Sequence, residues 1–155
     1  MKRMHVNMKV TDLAASMRFY AGLFGAAPSV VKADYAKWML DDPRVNFAIS
    51  THGQGAGLDH LGIQAEDSGE LAETYARMKS AEGPVLEQGN TVCCYAQSEK
   101  SWITDPDGVA WEAFLTHGES TVYGDGSGET PARAACCTPA PTATATAAAC
   151  CAPAA

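Results

Sequence analysis

The sequence predicts an α+β protein in which two tandem βαβββ modules form a cleft and a disordered C-terminal tail follows. The main observation is an internal repeat, because residues of matching type recur at an offset of 55 positions. The matched residues are His5 with His60, Asp12 with Asp67, and Tyr20 with Tyr75. In addition, each copy contains one helical pattern among short alternating stretches. Two amphipathic helices among strands also occur in ordinary α+β domains, but three coincident positions without a gap favour duplication.

The first module is predicted to span about residues 3–52. It opens with an alternating strand at 4–10, and Asp12 is placed to begin a helix. Apolar residues at three- and four-residue spacing support that helix, and Gly25 with a following proline ends it. These apolar residues are Leu13, Met17, Tyr20 and Phe24. Three further strands are expected at 29–32, 36–40 and 45–50.

The second module is predicted to span about residues 58–117 and to repeat this order. A strand at 58–65 precedes a helix that begins at Asp67 and ends near Gly83, where a proline again follows. The apolar positions of this helix are Leu71, Tyr75 and Met78. Strands are expected at 85–87 with 91–95, at 101–104 and at 109–116. The segment Asp105-Pro106-Asp107-Gly108 has the proline and glycine positions of a tight turn, so the last two strands form a hairpin.

Composition excludes several classes of function. A formal net charge of -7 and an isoelectric point near 4.9 do not suit nucleic-acid binding, which requires clustered Lys and Arg. No stretch has the apolar length of a signal peptide or a membrane span. We therefore expect a cytoplasmic protein with neither a nucleic-acid partner nor a membrane partner.

The composition changes at about residue 119, where Gly, Ser, Ala, Thr and Pro become dominant. Almost no large apolar side chain follows Tyr123, so this segment cannot bury enough surface to offset its ordering entropy. The sequence thus predicts a folded domain at 1–118 and a low-complexity, disordered tail that contains cysteines at 119–155.

All six cysteines occur as adjacent pairs. The pairs are Cys93-Cys94, Cys136-Cys137 and Cys150-Cys151. Adjacent cysteines close only a strained ring, so they cannot join distant parts of a fold. In a reducing compartment such pairs are free dithiols, which chelate soft thiophilic ions and metalloids through sulfur. The structural alternative for Cys93 and Cys94 is two ordinary strand residues, one of which points inward as a small hydrophobe.

A metal site is indicated by three residues on predicted strands. If a pseudo-twofold axis relates the modules, His5 and His60 face each other across the cleft between two sheets. Glu112 lies in the otherwise apolar strand at 109–116, and burial of an unpaired carboxylate costs several kcal/mol, so a metal is its expected partner. The equivalent place in the first module, at Phe47 or a neighbour, offers no ligand. The alternative is that His5 is a frayed terminal side chain and His60 a hydrogen-bonded strand residue.

Two histidines and one carboxylate with open positions are the ligand set of non-haem Fe(II) oxygenases. Zn(II), Mn(II), Co(II) or Ni(II) could occupy the same atoms. The expected fold is therefore a pair of βαβββ modules with a metal-containing cleft. His52 lies in a glycine-rich link and His117 at the tail junction, where we expect solvated side chains.

The paired modules and the triad resemble the vicinal oxygen chelate superfamily, which contains glyoxalase I, extradiol dioxygenases and bleomycin or fosfomycin resistance proteins. Within it, residues 3–117 resemble the ArsI/CadI family of carbon-arsenic lyases and cadmium-induced proteins, and they are most similar to the lyases. The motifs that carry this resemblance are LDHLGIQ at 58–64, TVCCYA at 91–96, KSWITDPDG at 100–108 and WE at 111–112.

The resemblance implies that His5, His60 and Glu112 bind Fe(II), and that Cys93 and Cys94 capture a trivalent organoarsenical. Such an enzyme would use O2 to cleave the carbon-arsenic bond of methylarsonite or trivalent aromatic arsenicals and would release arsenite.

Adjacent side chains of a regular strand point to opposite faces, so two neighbouring thiols reach one arsenic atom only where the backbone is irregular. We therefore predict that residues 89–99 form a mobile loop that closes over the metal. The tail thiols could deliver substrate or scavenge metalloid. These accessory thiols are Cys136, Cys137, Cys150 and Cys151.

The main alternative is a resistance protein that sequesters cadmium or arsenite on its thiols without turnover. Both hypotheses explain the cysteines, but only an enzyme explains a triad with open positions. A glyoxalase or thiol-transferase relative would need a fourth protein ligand from the first module. Superfamily members place their sites within one chain or across a dimer, so a monomer or homodimer is expected. The short glycine-rich link favours a site within one chain.

Overall fold

The structure of the protein, a computed structural model, describes residues 1–81, 83–93, 95–121 and 124. The side chains of Cys93 and Glu119 are outside this description. The predicted tail and several predicted site residues also lie outside the described residues. These site residues are Cys94, Cys136, Cys137, Cys150 and Cys151. The boundary between domain and tail at residue 118 stays a prediction.

The described residues contain ten elements, in the predicted order β-α-β-β-β repeated once. The first module contains β1 (Arg3–Lys9), α1 (Leu13–Phe24), β2 (Val30–Val31), β3 (Tyr35–Asp41) and β4 (Arg44–Ser50). The second module contains β5 (Gly57–Ala65), α2 (Ser68–Ser80), β6 (Val85–Cys93), β7 (Ala96–Thr104) and β8 (Ala110–Glu119). The predicted α+β fold class and the order of its elements are confirmed.

All eight strands form one sheet in the order β2-β3-β4-β1-β5-β8-β7-β6. The modules join through their first strands, because β1 and β5 pair antiparallel at the centre of the sheet. Within each module the first and last strands pair parallel. The expectation that His5 and His60 face each other across a cleft between two sheets is therefore wrong. They lie on neighbouring strands, since pairing of β1 with β5 satisfies backbone groups that separate sheets would leave at exposed edges.

Both helices begin at the aspartates that the sequence predicts. Asp12 accepts a hydrogen bond from the Ala15 backbone N–H at 2.9 Å, and Asp67 accepts one from Glu70 at 2.8 Å. Gly25 caps α1 in the left-handed conformation, with φ 64°. Neither of the two helices in the described residues could span a lipid bilayer.

The second helix ends earlier than Gly83, at Ser80, with Ala81 as its C-cap. Gly83 instead permits close packing against β7. A Cβ atom there would lie 2.8 Å from Ile103 Cγ1 and 2.9 Å from the Thr104 carbonyl oxygen. The glycine after this helix is therefore required by a tertiary contact rather than by the cap.

The apolar core lies on one face of the sheet, beneath the helices. α1 packs on a cluster that contains Ala36, Trp38, Phe47 and Ile49, and α2 contributes to a second cluster with Ala65 and Ala113. Val6 packs against the first cluster. Because side chains alternate along a strand, His5 and Asn7, the neighbours of Val6 on β1, point to the other face.

The face turned away from the helices is polar and yet buried. Its buried polar side chains include His5, Asn7, Asn46, Ser50, His60, Ser98, Lys100 and Glu112. The sheet curls around this face, as a contact between distant strands shows. Tyr95, between β6 and β7, donates its hydroxyl to Asp34 Oδ1 at 2.6 Å, just before β3. Four strands separate β3 from β7 in the sheet, so this contact closes one side of the cleft.

The prediction of a loop at 89–99 is wrong for the described residues. β6 continues to Cys93, β7 begins at Ala96, and these two residues pair. The polar composition of this segment has a different cause, because Ser98 and Lys100 are each only 4% exposed on the polar face of the sheet. A strand that lines a buried polar site has polar residues on its inward face. Its composition therefore resembles that of a loop, although it is a strand.

Candidate metal centre

The three predicted metal ligands converge within one chain. The Nε2 atoms of His5 and His60 are 3.2 Å apart. Glu112 Oε1 lies 3.3 Å from His5 Nε2 and 3.4 Å from His60 Nε2. Each of the three residues is 5% exposed. Over the described ranges, this is the one group of three or more His, Cys, Asp or Glu side chains that could hold a metal ion.

The register of the central strands explains how Glu112 reaches the histidines. His5 pairs with Gly62 across β1 and β5, and Gly62 pairs with Glu112 across β5 and β8. A Cβ atom on Gly62 would lie 2.7 Å from both Cγ and the carbonyl oxygen of Glu112, well inside van der Waals contact. The absence of a side chain at Gly62 therefore lets the Glu112 side chain lie across β5 toward His5.

Both imidazoles are oriented by acceptors at their Nδ1 atoms. His5 Nδ1 lies 3.0 Å from the Asn46 carbonyl oxygen, and His60 Nδ1 lies 2.8 Å from Asp59 Oδ2. Because an ionised carboxylate and a carbonyl only accept, each ring donates from Nδ1 and presents Nε2 to the centre of the site. This arrangement of acceptors is typical of histidines that bind metals. Lys9 Nζ in turn lies 3.3 Å from Asp59 Oδ1.

Glu112 shares its two oxygens between different partners. Oε1 faces the histidines, whereas Oε2 accepts a hydrogen bond from Lys100 Nζ at 3.1 Å. The ammonium also lies 5.6 Å from the Trp102 ring centroid and 5.8 Å from that of Phe114. Lys100 therefore leaves a single oxygen of Glu112 available to a metal ion.

Burial and neighbouring charges set different protonation states for the two histidines. Burial lowers the pKa of His5 from 6.5 to about 4, although Glu112 opposes this shift. Burial also disfavours the charged form of His60, but Glu112 and Asp59 outweigh it and raise the pKa to about 9. Burial acts to raise the pKa of Glu112, but Lys100 and His60 hold it well below its usual range. At neutral pH the metal-free site thus holds one imidazolium, at His60.

The residues present fit a divalent metal ion. Ligand atoms about 2.1 Å from a common ion lie about 3.0 to 3.4 Å apart at octahedral to tetrahedral angles. The three distances among His5 Nε2, His60 Nε2 and Glu112 Oε1 are 3.2, 3.3 and 3.4 Å, and they fall within that range. Two Nε2 atoms and one carboxylate oxygen are suitable donors for Fe(II) and for the other divalent ions expected from the sequence. His5, His60 and Glu112 could therefore hold a metal, and the identity of that metal stays a prediction.

The first module provides no carboxylate at the position equivalent to Glu112. The 55-residue offset relates Asn7 to Gly62, and Asn7 pairs with Ala48 in the same way that Gly62 pairs with Glu112. The structural equivalent of Glu112 is therefore Ala48, the neighbour of Phe47. This agrees with the expectation that Phe47 or a neighbour offers no ligand.

The predicted cysteine site is only partly covered by the described residues. The Cys93 backbone ends β6, and Tyr95 follows at the turn with a positive φ of 61°. Tyr95 is held by the first module: its ring lies 5.8 Å from that of Tyr35, and its hydroxyl donates to Asp34. Tyr95, which directly follows the cysteine pair in the sequence, is thus anchored against the opposite side of the cleft.

The two histidines outside the triad do not join it. His52 Nε2 lies 2.7 Å from Asp34 Oδ2, and the other oxygen of the same carboxylate accepts the hydrogen bond from Tyr95. His117 is exposed on β8. The expectation of a solvated side chain agrees with the exposure of His117, whereas His52 is partly buried and pairs with Asp34.

The sequence, compared with those of known proteins, places this fold and site in a family. Residues 2–113 match the Glyoxalase/Bleomycin resistance protein/Dioxygenase superfamily. The chain belongs to this superfamily. The match includes the first module, most of the second module, the two histidines and Glu112, and it confirms the resemblance identified from the motifs.

Relatives within the superfamily are found among arsenic and cadmium proteins. A protein of Bacillus sp. (strain MD1) named trivalent organoarsenical cleaving enzyme is 38% identical, and the alignment covers 97% of this chain and 99% of that protein. The cadmium-induced protein CadI of Mycobacterium bovis is 32% identical, with 81% of this chain and 84% of that protein covered. The resemblance to the ArsI/CadI family is thereby confirmed.

Among solved structures, an extradiol ring-cleaving dioxygenase from B. fuscum has a similar fold. The TM-score is 0.56 at 19% sequence identity, and the match covers 77% of this chain and 33% of that chain. At this identity the similarity shows the glyoxalase-type fold alone.

Three residues that build the site of this superfamily member were not predicted from the sequence. Asp59 orients His60, Lys100 pairs with Glu112, and Gly62 makes room for the Glu112 side chain. Asp59 had a visible signal, since it directly precedes the histidine. The other two depend on strand register, which the sequence does not display.

Proposed function

We propose that this chain is an Fe(II)- and O2-dependent lyase that degrades trivalent organoarsenicals, such as methylarsonite and trivalent aromatic arsenicals, to arsenite. The observation that carries the proposal is the buried triangle of His5, His60 and Glu112, which leaves coordination positions open to exogenous ligands. The relative named trivalent organoarsenical cleaving enzyme, 38% identical over nearly the full length of both chains, supports the choice of substrate.

The proposed reaction balances without an external reductant. For methylarsonite it is CH3As(OH)2 + O2 → As(OH)3 + CH2O. The carbon atom loses four electrons, O2 gains four, and arsenic stays trivalent. Fe(II) held by the triad would supply the redox chemistry toward O2. One O2 is therefore consumed for each arsenite and each formaldehyde formed.

Neighbouring residues orient the three candidate ligands and shield them from bulk solvent. Lys100 keeps one oxygen of Glu112 engaged, so that Glu112 binds through the other. Aromatic rings cover the histidines, with Trp102 centred 5.0 Å from His60 and Phe114 centred 5.2 Å from His5. Because their neighbours already orient these side chains, they need little reorganisation when substrate binds.

We assign substrate capture to Cys93 and Cys94. An arsenical with one carbon substituent has two exchangeable hydroxyls, so two thiols can replace both and release two water molecules. Anchoring of Tyr95 by Asp34 supports this assignment, because Tyr95 directly follows the cysteine pair in the sequence and is held at the closed side of the cleft. A captured arsenical beside the metal would react without the entropic cost of a second encounter. A reducing cytoplasm would keep the thiols free.

The decisive experiment is to load the protein with Fe(II) under reductant and to add trivalent methylarsenic with and without air. We expect many equivalents of arsenite, matched by formaldehyde, only when iron and O2 are both present. The variants Cys93→Ser and Cys94→Ser should lose turnover while their iron content stays unchanged, and Glu112→Ala should lose iron. Retained turnover in both cysteine variants would contradict the capture assignment.

The alternative is a thiol-based protein that sequesters cadmium or arsenite without turnover, which the relationship to CadI favours. Tight arsenic binding without a new arsenic species in the same experiment would support this alternative. We assign an accessory role to the tail thiols. Deletion of residues 125–155 should then reduce arsenic uptake at low concentration and leave turnover at saturation unchanged. All three metal ligands come from one chain, so the proposal holds for a monomer or a homodimer.

A further inference from the structure

Asn7 is a buried side chain beside the triad with an unused hydrogen-bonding group. Its residue is 1% exposed, and its Oδ1 atom has no hydrogen-bond partner among the described residues. A buried carbonyl oxygen without a partner destabilises a fold, so native proteins keep few of them. An amide here therefore needs an explanation outside the packing of the protein itself.

The strand register places Asn7 on the same face as the metal ligands. Asn7 lies two residues after His5 on β1, and residues two apart on a strand share a face. It also pairs directly with His60 across β1 and β5, and directly opposed residues project to the same side. Asn7 is thus flanked by one ligand along its strand and by the other across the sheet.

A small neighbour on β4 keeps the space around Asn7 available. Its partner there is Ala48, the equivalent of Glu112 in the internal repeat. In the second module Gly62 pairs with the long side chain of Glu112, whereas in the first module Asn7 pairs with Ala48. The first module thus offers a neutral hydrogen-bonding group on the side of the cleft where it lacks a carboxylate.

We propose that the Asn7 amide positions an O–H donor at the open side of the triad. Two molecules carry that chemistry: water held at the metal, and the hydroxyl of a trivalent arsenical. In either case Asn7 acts as a positioning residue whose side-chain oxygen accepts the hydrogen bond. The inference rests on the proposed metal site, and its water-based form does not require lyase activity.

A second orphan group provides a matched control. Tyr75 on α2 also has a buried hydroxyl without a hydrogen-bond partner in the described part of the chain, but it packs in the apolar cluster under the helix. Removal of either orphan should stabilise the metal-free protein. Only removal of the Asn7 amide should affect ligands at the metal.

The test compares Asn7→Leu, Asn7→Ala and Tyr75→Phe by thermal unfolding of the metal-free chain and by water-proton relaxation of the Mn(II)-loaded chain. We expect Asn7→Leu and Tyr75→Phe to raise the melting temperature by about 2–6 °C, since each deletes an unpaired buried oxygen. Both Asn7 variants should also either change the Mn(II) relaxation rate or raise the KM for methylarsonite by about 2- to 10-fold, the usual effect of one lost hydrogen bond. Tyr75→Phe should do neither.

The two ligand readouts separate the two sources. A changed relaxation rate with an unchanged KM identifies water at the metal as the donor, and the reverse identifies the arsenical hydroxyl. The proposal would be overturned if both Asn7→Leu and Asn7→Ala left the Mn(II) relaxation rate and the KM unchanged. It would also be overturned if both variants had a lower melting temperature than the parent chain. If no arsenite is ever formed but the relaxation rate responds to Asn7, the proposed lyase activity fails and this inference stands.

Discussion

The Gly62→Ala variant tests how the strand register builds the candidate metal centre. The added Cβ would lie 2.7 Å from Glu112 Cγ and 2.7 Å from the Glu112 carbonyl oxygen. Ordinary contacts of this kind are about 3.5 Å or longer, so the strands or the Glu112 side chain must move by about 0.8 Å. The side chain can rotate away, but the carbonyl belongs to the β5–β8 ladder and has little freedom.

A displacement of this size exceeds the tolerance of a metal site, which is about 0.5 Å. We therefore expect Gly62→Ala to weaken binding of Co(II) or Fe(II) at least about 10-fold, and to lower the free energy of unfolding of the metal-free chain by about 1–3 kcal/mol, as overpacking does. Competition with a chromophoric chelator measures the affinity, and urea unfolding measures the stability.

Gly22→Ala is the matched control for this variant. Gly22 lies within α1, and a Cβ atom added to it would meet no neighbouring group within 4 Å. Alanine there should therefore stabilise the chain by about 0.5–1 kcal/mol and leave metal affinity unchanged. If Gly62→Ala binds metal as tightly as the parent chain, then the missing side chain at position 62 is not what allows Glu112 to reach the histidines.

Three further predictions concern the surroundings of the triad. Lys100→Met should destabilise the metal-free chain by about 1–3 kcal/mol, because it removes one of the two cations beside the buried Glu112 and leaves His60 as the other, and added metal should recover more stability than in the parent chain; equal metal-induced shifts in thermal unfolding would contradict this. Asp59→Asn should weaken metal binding about 10- to 100-fold, as loss of a carboxylate behind a histidine ligand does, whereas Asp107→Asn at the exposed turn should not. Because the pKa of His60 is raised to about 9, its stabilising effect on the metal-free chain is complete below about pH 6.5 and is lost as the pH rises through 9. Metal affinity should rise over that interval, with one proton released per ion below pH 9 in calorimetry with different buffers; release of two protons at pH 7 would show that His5 is also charged.

The apo stability and the metal affinity thus respond to pH in opposite directions. The proton on His60 and a metal ion compete for the same negative charge on Glu112. At neutral pH the metal-free protein is therefore more stable with a charged His60 beside Glu112 than it would be if both histidines were neutral. An imidazolium at His60 would thus let the three side chains keep this arrangement before a metal ion binds.

The repeat, the helices and the three candidate metal ligands could be predicted from the sequence alone. Asp12 and Asp67 begin their helices because a capping side chain contacts backbone groups only three residues away. The offset between His5 and His60 and the single acid in an apolar strand likewise require no knowledge of long-range contacts. Such features are determined by residues that are close in the sequence.

Only the tertiary structure decided how these positions meet. Joining of β1 to β5 in one sheet made the histidines neighbours, and the register across β5 turned Gly62 into the space through which Glu112 reaches them. The polar composition around Lys100 predicts a loop. In the structure this segment is a strand, and its inward polar side chains line the buried site. The physical reason is that a shift of one residue in strand register moves every side chain to the opposite face, and register is set by contacts between residues far apart in the chain.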